Sequence, residues 1–334
     1  MSAAASPATA DPASLRKTPL QGYVGFDSIT HQIERKLLRR GFAFNIMLVG
    51  QTGLGKSTLL NTLFAAHLVD SKGRTRAADP PRQTTEIVPV THHIEENGVR
   101  LRLTVVDTPG YGDLMNNEHC LDPILKYIKD QYAHYLRREL TAARDRHIAD
   151  SRVHAVLFFI NPSGQSLKPL DIIALRQLSE ITNVVPVIAK SDSLTLDERA
   201  AFKQRIRDEL DLHGIKTYPQ EWPLATEPID ADEAADRDAT ATVRALAPFA
   251  VVGSERMVVG PDGKAARGRR TRGGGVVLVD DETHCEFGPL RAFLTRTHLQ
   301  DLIETTAWHY ETFRTRQLLA LKENRESNVS PKPQ

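Results

Sequence analysis

Cysteine is nearly absent from this chain: Cys120 and Cys285 are the only two in 334 residues. They lie far apart and lack metal-ligand spacing, which excludes a disulfide framework and points to a reducing, cytoplasmic compartment. Long apolar runs are missing as well. None approaches the roughly 18 residues that a membrane span requires, so a soluble chain is expected. Charge of one sign is also lacking: 43 Lys and Arg against 42 Asp and Glu leave a net +1. That balance excludes a general nucleic-acid footprint, and no nucleic-acid partner is expected. The first 21 residues are rich in Ala, Ser and Pro without the continuous apolar core of a secretory signal, so 1–21 reads as a flexible tail. The rest, 40% hydrophobic and 25% charged, is ordinary for a globular protein and suffices for one large α/β domain or two smaller ones.

What the chain does contain is organised around Gly50-Gln51-Thr52-Gly53-Leu54-Gly55-Lys56-Ser57. This octapeptide matches G-x-x-x-x-G-K-[ST] and stands between an apolar run at 42–49 and a helix-like run at 58–64, the strand–loop–helix order that the motif needs. Its glycines let several backbone N–H groups, Gly53 to Thr58 among them, face the oxygens of a nucleoside phosphate at a helix N-terminus. Lys56 then reaches the β and γ phosphates and Ser57 ligates Mg²⁺.

Downstream, residues 72–83 carry Gly, Pro, Arg and Asp without hydrophobic period and read as a mobile loop. Runs at 85–94 and 99–106 flank Asn97-Gly98, which predicts a hairpin. The second strand leads into Asp107-Thr108-Pro109-Gly110. Here Asp107 can hold the Mg²⁺ shell and the Gly110 N–H can meet the γ phosphate. Leu121, Ile124, Leu125, Ile128, Tyr132 and Leu136 predict a long amphipathic helix. Apolar runs at 153–160 and 184–188, separated by a helix, imply a parallel sheet covered on both faces. The second run ends in Ala189-Lys190-Ser191-Asp192. A carboxylate at Asp192 pairs with the N1–H and 2-amino donors of guanine, which adenine lacks, while the Lys190 stem packs along the base; GTP is favoured over ATP.

Residues 218–240 read as an acidic surface loop around a lone Arg237. The sheet resumes at 248–252 and ends at Gly253. Short strands follow at 257–259 and 276–279, separated by a basic, flexible stretch over 267–275, and a helix is expected over 290–321. Before the phosphate loop, residues 22–41 place Ile29, Ile33, Leu37 and Leu38 on one helical face with Arg35, Lys36, Arg39 and Arg40 crowding its end. Local sequence leaves two readings of those cations: attraction to anionic lipid headgroups, or a solvated helix C-terminus that favours positive charge.

Together these blocks resemble the septins. The likeness runs from Gly22 to Arg316 and is carried by Gly22-Tyr23-Val24-Gly25-Phe26, the phosphate loop, Asp107-Thr108-Pro109-Gly110-Tyr111-Gly112-Asp113, Leu167-Lys168-Pro169-Leu170-Asp171, the 185–192 and 248–254 segments, and Arg267-Gly268-Arg269. The resemblance implies a Ras-like P-loop GTPase core with a mostly parallel sheet and helices on both faces (42–254), preceded by a polybasic helical region (22–41). A septin-type β-meander and helix (255–316) and a short tail without a coiled coil (317–334) follow. It implies a GTPase that works with GTP or GDP and Mg²⁺, and polymerises through alternating nucleotide-side and N/C-terminal interfaces, alone or with other septins, into cytoskeletal filaments at anionic membrane surfaces. Carried over by position, Arg269 and the Gly253 backbone contact guanine, Thr84 is the switch threonine that positions water and completes the Mg²⁺ site, and the cations at 35, 36, 39 and 40 bind lipid. Arg237, near the expected nucleotide face, is a candidate arginine acting in trans. Signalling GTPases place a glutamine after Asp-x-x-Gly, where this chain has Tyr111, so hydrolysis rests on Thr84 and is slow. Gly274-Gly275 stand where septins carry Trp-Gly. An inert nucleotide-bound scaffold and a monomeric signalling GTPase are the alternatives.

Overall fold

Strand β1 (Phe42–Gly50) is buried without interruption over residues 44–50, because sheet neighbours flank it and helices cover both of its faces. The computed structural model describes residues 28–69, 87–112, 117, 119–141, 148–219, 240–260, 263–270, 275–283 and 285–329, with side chains described to 323. Helix α1 (Ser28–Arg40) precedes β1. After it come α2 (Lys56–Leu63), β2 (Val88–Glu96), β3 (Val99–Asp107), α3 (Asp122–Leu140), β4 (Ala155–Ile160), α4 (Pro169–Ser179), β5 (Val184–Ile188), α5 (Leu196–Leu212), α6 (residues 240–246) and β6 (Phe249–Ala250). The six strands form one sheet in the order β2-β3-β1-β4-β5-β6, parallel throughout except for β2, which runs antiparallel to β3 across the Asn97-Gly98 turn.

From β1 the chain steps outward to β3 on one side and to β4 on the other. Such a switch point opens a crevice at the carboxyl ends of the strands. One core cluster packs Leu59, Leu60 and Leu63 of α2 with Phe287, Leu290 and Leu302 beneath the sheet, and the other packs Ile124 and Ile128 of α3, Leu175 of α4 and Phe202 of α5 above it. Local sequence chemistry sets the helix starts. Pro occupies the first turns of α3 and α4, and Thr195 with Glu198 forms a capping box at α5.

A second, three-stranded sheet follows, β7 (Met257–Val259), β8 (Ala265–Arg270) and β9 (Val276–Leu278), all antiparallel. This corrects the flexible basic stretch expected at 267–275. Residues 267–270 are the last four of the six in β8, and two of their cations have partners: Arg267 Nη1 donates to Thr62 O (3.2 Å) and Arg269 Nε lies 3.3 Å from an Asp192 oxygen. The single helix expected over 290–321 is instead α7 (Phe287–Ala292), a π-helical turn (Phe293–Thr297) and α8 (Leu299–Val329), broken at His298. Helix α8 therefore runs well into the tail expected from 317, where Leu318, Leu319, Ala320 and Leu321 are good helix formers. Among the described residues no helix is long and apolar enough to cross a membrane.

Candidate functional site

At the tip of β1 the chain turns through Gly53 (φ 80°) and Gly55 (φ 88°), left-handed conformations that glycine tolerates, with nothing within 4 Å of where a Cβ would stand. That open space lies over the N-terminus of α2, whose first N–H groups have no partner within the helix. The buried Lys56 Nζ folds back over the loop, donating to Gly50 O (2.8 Å) and Gln51 O (3.0 Å). Ser57 Oγ faces Asp107 Oδ2 at 3.5 Å, a hydroxyl and a carboxylate spaced to share one hard cation. Gly110 presses against the loop so closely that a Cβ would stand 2.0 Å from Thr52 Oγ1.

Across the crevice, Lys190 adopts φ 49° and Ser193 Oγ donates to its carbonyl (2.9 Å), a turn that presents Asp192 at the carboxyl end of β5. One Asp192 oxygen lies 3.3 Å from Arg269 Nε; the other is buried without a hydrogen-bond partner among the described residues. A buried acceptor left this way is costly unless a ligand supplies the donor. Gly53, Leu54, Gly55, Thr58, Lys190, Gly253 and Arg269, all sequence-predicted, line one cavity of about 250 Å³ with Phe159 and Val252. A larger cavity of about 370 Å³, beside Arg207, Lys216, Tyr218 and Pro248 at the entry to β6, holds none of them.

These residues fit a guanine nucleotide with Mg²⁺. The open loop suits the phosphates, Ser57 with Asp107 suits the cation, and the unpartnered Asp192 oxygen suits the N1–H and 2-amino donors of guanine. Thr84, Arg237 and Gly274 lie outside the described residues. The cations Arg35, Lys36, Arg39 and Arg40 do not join the site; α1 sits before the amino end of β1, at the other pole of the sheet, and all four are exposed.

Tyr111 is the residue whose place the sequence did not reveal. Its hydroxyl donates to Asp171 Oδ1 of α4 (2.6 Å), its ring packs on Phe158 (centroids 5.8 Å apart), and it is buried. Burial first, then the Asp171 charge, pushes the phenol far above its ordinary range, and burial also raises the Asp171 carboxyl. Gln51 is held in the same neighbourhood, accepting from Lys168 Nζ at 3.0 Å. The departure from glutamine at Tyr111 was visible in the sequence; its partner 60 residues away was not.

Fold and site together define the class: a P-loop nucleotide-binding domain of the Ras-like GTPase fold. The chain belongs to the septin family, whose model matches residues 40–327. It is 59% identical over 305 residues to "Septin homolog spn2" of Schizosaccharomyces pombe, covering 91% of this chain and 89% of that one. With "Cell division control protein 10" of Saccharomyces cerevisiae it shares 53% over 312 residues, covering 92% and 94%. A solved septin GTPase domain from Chlamydomonas reinhardtii has the same fold, with a TM-score of 0.56 and 21% identity over 82% of this chain and 99% of that one.

Proposed function

We propose that this septin binds GTP and GDP with Mg²⁺ in the crevice, hydrolyses GTP, and polymerises through alternating nucleotide-side and N/C-terminal faces, alone or with other septins, into cytoskeletal filaments on anionic membrane surfaces in the cytoplasm. The observation that carries the reading is the convergence on one crevice of a phosphate loop, a hydroxyl–carboxylate pair at 3.5 Å and a buried, unpartnered Asp192 oxygen. Lys56, swung from its loop carbonyls, meets the β and γ phosphates, and the Gly110 N–H supports the γ phosphate. Ser57, Asp107 and Thr84 hold the cation, whose chemistry is to neutralise charge on the phosphate oxygens. Asp192 and Lys190 select guanine, Gly253 and Arg269 close over it, and Arg237 is a trans-acting candidate.

Exposed apolar side chains support two assembly faces. Met257 and Val259 lie on the second sheet, while Ile29, Ile33 and Leu37 lie on α1 and Trp308 on α8. One observation favours the second reading, a nucleotide-bound scaffold with negligible turnover: Tyr111 is sealed against Asp171, so the position after Asp-x-x-Gly offers no side chain to orient water. Phosphate release from GTP with Mg²⁺, measured per subunit across protein concentration, decides. Turnover that rises with concentration supports a site completed by pairing, flat turnover places catalysis within one chain, and bound GTP without release establishes the scaffold. Arg237→Ala with unchanged turnover at saturating assembly removes that residue from the mechanism.

A further inference from the structure

Strand β6 is the outermost strand of the main sheet and contributes only Phe249 and Ala250 to the ladder, yet it carries the base-side wall of the cavity, Val251, Val252 and Gly253. A two-residue edge strand holds position poorly unless its outward N–H and C=O groups find partners. Here Glu286 supplies both. Its backbone N–H donates to Ala250 O (2.9 Å), and its Oε2 accepts from Ala250 N (2.7 Å). One residue on, the Val252 N–H donates to Cys285 Sγ (3.0 Å). On the inner side Val251 N donates to Ile188 O (3.0 Å), and its carbonyl accepts from Ser191 N (3.2 Å), next to Asp192. The wall is therefore fixed between the base-reading turn and Glu286.

The carboxylate is itself held. Lys203 Nζ of α5 donates to both of its oxygens, at 2.7 and 2.9 Å, with each side chain largely buried. One turn further along α5, Arg207 Nε donates to Ala247 O (2.8 Å) and its guanidinium also meets Ala245 O, so α5 grips the approach to β6 as well as its exit. The same helix begins three residues beyond the Asp192 turn, at the Thr195 capping box. Past the clamp the backbone has no slack, since a Cβ on Gly253 would stand 2.8 Å from Leu59 Cα of the phosphate-loop helix. A buried ion pair is a weak source of stability compared with apolar packing. This pair does something that apolar side chains cannot, because it gives the Ala250 N–H an acceptor oriented from two sides.

We infer that Glu286, aimed by Lys203, is a positioning residue for guanine nucleotide: through Ala250 it sets the Val251–Val252–Gly253 wall against which the base rests. The inference depends on the guanine reading of the crevice given above. Binding geometry of this kind tolerates shifts of only about 0.5 Å.

The test compares affinity for GDP, by fluorescence titration of nucleotide-free full-length chain, with thermal stability of the same preparations. Glu286→Ala leaves the Ala250 N–H and the Lys203 ammonium without the acceptor, and its affinity for GDP falls roughly tenfold or more because the released wall no longer holds its place against the base. Glu286→Gln keeps an amide oxygen for Ala250 while removing the charge facing Lys203. Its melting temperature drops as in the alanine variant, but its affinity stays within about threefold of the parent. A purely structural pair moves stability and affinity together. The inference is overturned if folded Glu286→Ala binds GDP within twofold of the parent, or if Glu286→Gln loses as much affinity as the alanine variant. Should Glu286→Ala not fold, Glu286→Asp, which keeps a charge for Lys203 but draws the carboxylate back from Ala250, decides: a loss of about tenfold supports the clamp, and unchanged affinity overturns it. Failure of the parent chain to bind GDP at all overturns the reading of the crevice itself, and the clamp's role with it.

Discussion

The Tyr111 hydroxyl and the Asp171 carboxylate form a buried 2.6 Å hydrogen bond that ties the segment after Asp-x-x-Gly to helix α4. In signalling GTPases this position carries the glutamine that orients water. Here it anchors structure, so restoring the glutamine does not restore the role. Tyr111→Gln is expected to leave GTP turnover no higher than that of the parent and to destabilise the chain by about 2–4 kcal/mol, the scale for emptying a large aromatic site beside a buried carboxylate. Urea unfolding alongside phosphate release checks both halves. A rise in turnover would mean that the side chain reaches the nucleotide.

Base selection makes a sharper prediction. On the guanine reading proposed above Asp192 serves as an acceptor, whereas xanthine presents a carbonyl at position 2 and needs a donor there. Asp192→Asn supplies an amide N–H₂ and is expected to reverse the preference from GTP to XTP by at least about tenfold, each well-aligned polar contact being worth about 1–3 kcal/mol. Competition between the two nucleotides for the variant measures it. Retained GTP preference would take Asp192 out of base contact.

What was legible in the sequence follows from how local the chemistry is. The phosphate loop, Asp107 to Gly110 and Lys190 to Asp192 could be located because each motif is a short segment at a strand's carboxyl end, the place where open α/β sheets bind ligands. Strand β5 was readable at both ends because five consecutive apolar residues had to be buried on both faces. Pairings between distant segments were not readable. Nothing in the spacing announces Lys203 with Glu286, 83 residues apart, because an ion pair constrains neither partner's neighbours. The same holds for β8, whose Arg-Gly-Arg composition reads as loop until β7 and β9 are in place to supply the ladder.

Acid sensitivity should come first from His309. It is buried on α8, its Nε2 has no hydrogen-bond partner among the described residues, and burial lowers its pKa from 6.5 to about 4. Between those two values the unfolded chain binds a proton that the folded chain refuses. Stability therefore rises with pH across this window and is lost as pH falls from about 6.5 to about 4. The expected loss by pH 5 is on the order of 2 kcal/mol. Asp150 does not confuse the measurement. Burial raises its pKa, but hydrogen bonds and charge from His154 and Arg152 more than reverse this, so its contribution is lost only below its ordinary 3.8. Urea unfolding at pH 7 and pH 5 should show a large difference for the parent and a much smaller one for His309→Gln; equal differences would assign the sensitivity elsewhere.

The last prediction concerns α1, a helix of 13 residues of which none is buried. Ile29, Ile33 and Leu37 recur every four residues and form one exposed stripe. At 3.6 residues per turn Lys36 and Arg40 fall on the same side of the helix as that stripe, whereas Arg39 lies about 120° and Arg35 about 160° around from its centre. An apolar stripe bordered by cations suits an anionic bilayer surface, where each cation contributes about 1 kcal/mol and the stripe adds its buried area. Neutralising Arg35, Lys36, Arg39 and Arg40 together should cut flotation with phosphatidylserine-containing liposomes by at least about tenfold, while exposed substitutions of this kind shift stability by less than about 0.5 kcal/mol. Raising salt should have the same effect on the parent, because surface charges more than about 10 Å apart are screened at 0.1 M. Replacing Ile33 and Leu37 by Ala with the cations intact separates the two contributions, since that loss should persist at high salt. Undiminished flotation of the neutralised variant would place the membrane contact on another face and leave α1 to subunit association, which sedimentation of the Ile33→Ala, Leu37→Ala variant at low salt would then register as shorter polymers.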